Sequence, residues 1–126
     1  MKFIEKTPPR TFEVGYDKKG IISDCGSLYL KADEQVTLFT EKGGEYDVTR
    51  KEWGFYATPS LNGRLSSFKL KAVLTKNRYD RYFIMLLEEG KEAAFQKYVD
   101  EEPLVIVAWL DNLEHLQELD KKLNNK

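Results

Sequence analysis

One histidine, one cysteine and 21 acidic side chains are the raw material this sequence offers to acid–base or nucleophilic chemistry. His115 follows Asp111 by four residues, so in a helix the two share a face. An Asp–His pair beside the Cys25 thiol would resemble an activated thiol nucleophile. The same residues have a plainer use. Asp111-Asn112-Leu113-Glu114 fits a capping box in which Asp111 is the N-cap and Glu114 reaches back, and this occupies the acid. Metal binding lacks spacing, since His115 and Cys25 lie 90 residues apart and the acids at 100–102 fall at a helix end. No Gly-rich phosphate loop precedes a helix, and no spacing singles out a pair of carboxylates. Catalytic, metal and cofactor residues are therefore assigned to no position.

The stretch EWGFYATPSLNGRLSSF, residues 52–68, is chemically richer. In a strand Trp53 and Phe55 share one face while Tyr56 takes the other. Either Trp53 and Phe55 are core with Tyr56 as a cross-strand partner, or the aromatic face is a working surface. Gly54 removes a side chain between two rings, which would let a ring or a ligand approach the backbone. Asn62-Gly63 supplies the positive φ angles of a two-residue hairpin turn, and Asn62 and Arg64 add amide and guanidinium donors. Trp53, Tyr56, Asn62 and Arg64 together suit a small polar ligand such as a sugar or sugar nucleotide. Trp53 would stack, Tyr56 and Asn62 would hydrogen-bond, and Arg64 would meet anionic oxygen.

A second constellation interleaves Phe68, Lys69, Lys71, Lys76, Arg78, Tyr79, Arg81 and Tyr82. Cations among aromatics across two strands could bind single-stranded nucleic acid weakly by stacking and phosphate contact. A sequence pI of about 5.9 argues against that use.

The elements that must position these groups read in period two for the first two-thirds of the chain. Residues 11–16, 21–30, 35–40, 46–48 and 53–58 read as strands, with Gly26 marking a bulge or bend. Residues 65–74 read as a long strand after the Asn-Gly turn, and residues 81–87 as a central strand apolar on both faces. The period then changes. Residues 91–100 place Ala94, Phe95, Tyr98 and Val99 on one helical face, ended by Pro103. LVIVAWL, residues 104–110, predicts a buried strand with Trp109 opposite Ile106 and Ala108. A last helix from Asp111 carries the stripe Leu113, Leu116, Leu119, Leu123, and the tail at residues 124–126 is expected to fray. The fold class is α+β, mainly an antiparallel sheet (a curled meander, sandwich- or barrel-like) with two C-terminal helices.

At 126 residues, 41% hydrophobic and 13% aromatic, residues 1–126 suit one domain with a real core. No apolar run approaches the roughly 18 residues that cross a bilayer, so no membrane is expected. The start, MKFIEK, has no apolar segment of leader length, and one cysteine permits no intrachain disulfide. These point to the cytoplasm. Six cations against one acid at residues 64–81 contrast with seven acids against three lysines at 100–126, so the two stretches can pair within one chain or across a two-fold dimer. The expected protein is a non-enzymatic β-rich module that binds a small polar ligand or a partner protein, and forms a homodimer. The rival is a small enzyme with carboxylate and tyrosine acid–base groups in a β-enclosed cavity, recognisable by a buried titratable group.

Overall fold

The computed structural model describes residues 1–124, which form eight strands and three helices in antiparallel, sheet-dominated α+β order. β1 (Lys2–Val14) and β2 (Gly20–Tyr29) make a long two-stranded hairpin. β3 (Gln35–Phe39), β4 (Glu45–Lys51) and β5 (Gly54–Ala57) form a meander with β4 in the middle. A short helix α1 (Arg64–Ser67) leads into β6 (Leu70–Lys76), β7 (Tyr82–Glu88), α2 (Glu92–Glu101), β8 (Val105–Trp109) and α3 (Leu113–Asn124). The third sheet has the order β7-β6-β8. None of the three sheets closes into a barrel.

The core surrounds β6. Leu65 of α1 packs on Leu70 and Ala72, with Tyr46, Leu86 and Leu110 at the margin. The opposite face of β6 carries Val73 and Thr75, both fully buried. The Thr75 hydroxyl donates to the Phe83 carbonyl at 3.5 Å, so this polar group enters the core with a partner. On that face the α2 ring of Phe95 meets Trp109 edge-on at 6.4 Å, and Val99 is buried.

Five local expectations are corrected. Asn62-Gly63 does not turn a hairpin; Gly63 precedes α1 with φ −138°, and the Ser60 hydroxyl accepts from the Arg64 amide at 3.3 Å. The strand expected from residue 65 therefore starts at Leu70, after Lys69 turns the chain in the left-handed region at φ +63°. Residues 81–87 and 104–110 supply edge strands, because β6 pairs with both and takes the centre. A register shift between Leu74 and Thr75 leaves Val107 without a ladder partner, so Ile106 opposite Thr75 and Trp109 opposite Val73 share one face. Strict alternation had placed them on opposite faces. The first strand also starts earlier than residue 11, at Lys2. A tail of residues 125–126 lies outside the described residues; the Asn124 amide donates to the Asp120 carbonyl at 3.1 Å.

Candidate functional site

The aromatic stretch lies over a polar row on the β3-β4-β5 sheet. Alternation and pairing put Asp47 and Thr49 of β4 on one face with Thr37, Gln35 and Tyr56. Asp47 is only 4% exposed. Its Oδ1 accepts from the Thr37 hydroxyl at 2.7 Å, and its Oδ2 accepts from Nη2 of Arg64 at 3.2 Å. The Arg64 guanidinium also lies 5.1 Å over the Phe68 ring. Arg64 therefore anchors α1 to the meander, and part of its donor capacity is spent inside the chain.

The other three sequence-derived residues are differently placed. Trp53 and Tyr56 are exposed and stack on each other, ring centres 6.2 Å apart at 29°. Phe55 is exposed too, so neither aromatic face of β5 is core. Gly54 adopts φ +145° with open space above it. Its role is conformational, since no ring or backbone approaches it. Asn62 is exposed in the loop before α1. The structure thus joins Trp53 to Tyr56 and Arg64 to Asp47, two pairs with different partners.

The basic strip divides in the same way. Lys71 reaches Glu92 at 4.0 Å, Lys76 reaches Asp80 at 3.8 Å, and Lys69 sits in the turn before β6, off the strand face of Lys71. Arg78 lies in the turn after β6, where Asn77 Oδ1 accepts from the amides of Tyr79 and Arg81 at 2.9 and 3.0 Å. Its guanidinium packs 4.5 Å from the Tyr16 ring centre and 5.2 Å from that of Tyr79. No spacing in the sequence links Tyr16 to Arg78. The hairpin turn is brought there by Glu102, which accepts from the Tyr16 amide at 2.5 Å.

The largest feature is one that reading single strands did not reveal. β1 and β2 contact chiefly each other, and no residue of either is fully buried. Register puts Phe3, Phe12 and Val14 on one face with Leu28 and Ile22, around an ion cluster of Lys6, Arg10 and Asp24. The hydrogen bond from Lys6 holds the Asp24 carboxyl below its ordinary value. Gly26 lets the Phe3 ring lie across β2, for a Cβ there would meet the ring at 2.5 Å. Tyr29 and Ile21, on the other face, are exposed as well. α3 repeats the pattern at the far end of the chain: Leu113, Leu119 and Leu123 are exposed, and the helix buries no residue.

Cys25 is exposed on β2 and His115 is on α3, where its amide is capped by Asn112 Oδ1 at 3.2 Å. Asn112, not Asp111, is thus the acceptor at this helix start. Among the described residues no group of three or more His, Cys, Asp or Glu side chains is placed to hold a metal, and no helix is long and apolar enough to cross a membrane. Comparison with protein-family models, curated proteins and solved structures finds no match.

Proposed function

We propose that this chain is a non-enzymatic binding module that works as a homodimer, with the β1–β2 hairpin and the α3 stripe covered by a second copy. The carrying observation is area. The chain exposes 9598 Å². A compact monomer of its mass exposes about 6,900 Å². The excess, about 2,700 Å² per chain, has the size of an obligate interface rather than a transient one. An isolated two-stranded ribbon is marginal in water, so the hairpin has reason to be covered.

A second copy suits the charge pattern. Among the described residues no ion pair joins the cations at 64–81 to the acids at 100–120, so both surfaces stay available to another chain. A net charge of −1 opposes association of like chains very little. An exposed lone thiol stays reduced where the surroundings are reducing, which is the cytoplasmic setting this reading assumes.

Light scattering tests it. The expected mass is twice 14.7 kDa; a single-chain mass that persists at low salt and high concentration overturns the dimer. Hydrogen exchange on the unmodified protein locates the interface. Amides at residues 2–14 and 20–29 should gain protection as concentration rises. Protection that ignores concentration removes the hairpin from the interface.

A second reading rests on the exposed Trp53–Tyr56 stack, which offers a flat platform to a small polar ligand such as a sugar. Trp53 fluorescence should respond to some member of a sugar and sugar-nucleotide panel, and the response should vanish in Trp53→Phe. Silence across the panel ends this reading.

A further inference from the structure

A cleft of about 350 Å³ opens where the hairpin turn meets the β7 edge and the end of α2, away from the Trp53 platform. Its walls include Tyr16, Arg78, Tyr79, Phe83, Tyr98 and Glu102. The volume is at the small end of ligand sites, and four of the ten lining residues are aromatic.

Two charges of opposite sign line this cleft without pairing to each other. Among the described residues Arg78 has no carboxylate within ion-pair distance. The Tyr16 and Tyr79 rings pack against the guanidinium, and ring contacts of this kind do not use up its N–H donors as a carboxylate would. Glu102 receives the Tyr16 amide and keeps further lone pairs. A simple anion at Arg78 would also meet the charge of Glu102, and a simple cation at Glu102 would meet that of Arg78. A ligand carrying both signs satisfies both groups.

We propose that this cleft binds a free α-amino acid with an aromatic side chain. The carboxylate lies on the Arg78 edge, the ammonium on Glu102 and a tyrosine face, and the ring among Tyr79, Phe83 and Tyr98. The turn that presents Arg78 and Tyr79 is fixed beforehand by the two amide bonds to Asn77, which lowers the ordering cost of binding.

The site does not depend on the homodimer. Three probes test it by NMR on the assembled protein at roughly millimolar ligand: phenylalanine, 3-phenylpropionate, which lacks the ammonium, and phenethylamine, which lacks the carboxylate. Phenylalanine should shift the amides of Tyr16, Tyr79 and Glu102, and each truncated probe should bind about tenfold more weakly or less. Arg78→Gln should weaken phenylalanine about tenfold and leave phenethylamine unchanged. Glu102→Gln, which keeps an acceptor for the Tyr16 amide, should erase the advantage of phenylalanine over 3-phenylpropionate. The proposal falls if phenylalanine shifts none of these amides, if 3-phenylpropionate binds as tightly, or if Arg78→Gln binds like the parent. A single-chain mass with phenylalanine bound would sink the dimer and leave this site standing; a dimer without shifts would do the reverse.

Discussion

β6 and the β1–β2 hairpin use the same antiparallel ladder and similar residues, yet they stand at opposite extremes of burial. β6 has Ala72, Val73 and Thr75 at 0% exposure, while Ile21 on β2 is 70% exposed. The difference lies in what surrounds each strand. β6 is flanked by β7 and β8 and faced by α1, and α2 packs on both of those neighbours. The hairpin pairs only within itself, so both its edges and both its faces are open. Apolar side chains on two faces of a strand therefore state a demand for cover. They do not say which chain supplies it.

The sharpest way to break the comparison is to truncate one apolar group in each region. Leu65→Ala should cost about 2–5 kcal/mol in urea denaturation, and the loss should not depend on protein concentration. Phe12→Ala should lower stability only under conditions where the chain is associated, so its cost should shrink on dilution. Equal, concentration-independent losses would erase the distinction. Next in size, Asp47→Ala should destabilise by about 1–3 kcal/mol, because Arg64 and Thr37 lose their shared acceptor at the junction of the meander and α1.

The free helix gives a finer contrast. Asn112→Ala should lower helicity by the loss of a cap worth about 1 kcal/mol, while Asp111→Ala should leave it unchanged. Circular dichroism reads both, and the reverse ranking would restore Asp111 as the cap. The smallest effect is a pH effect in the hairpin. Asp24 has its carboxyl lowered below 3.8, so the ion cluster contributes fully above that pH and fades as pH falls through the lowered value. Amide shifts at Arg10 and Ser23 should follow this acid limb, while those of β6 stay still.

Much of this architecture was legible because the chain punctuates it. Pro103 and the 3.6-residue stripe gave α2 within a residue, and β-branched QVTLF gave β3. Residues 58–69 misled because Asn-Gly is a strong local turn signal, whereas a four-residue helix is set by tertiary anchors. Those anchors are Leu65 in the core and Arg64 on Asp47. The bulge at Val107 was hidden because a ladder slip is a relation between two strands. For the same reason the stack of Trp53 on Tyr56 was hidden, since strand alternation sets them on opposite faces while Trp53 in fact lies in the turn before β5, and Tyr16, Arg78 and Glu102 likewise come together only through folding.

The spacing of the ladders along the chain has a consequence during synthesis. The hairpin closes over a turn of a few residues, and such a ribbon forms in about 1–10 μs once its residues are free. β6 cannot gain its second neighbour until Trp109 has been made, since that residue pairs with Val73. At about 5–20 residues per second the ribosome needs several seconds for the roughly 80 residues between the end of β2 and β8. For those seconds the nascent chain carries a finished, greasy ribbon and an incomplete core, so the ribbon is the first surface that neighbouring nascent chains or chaperones meet.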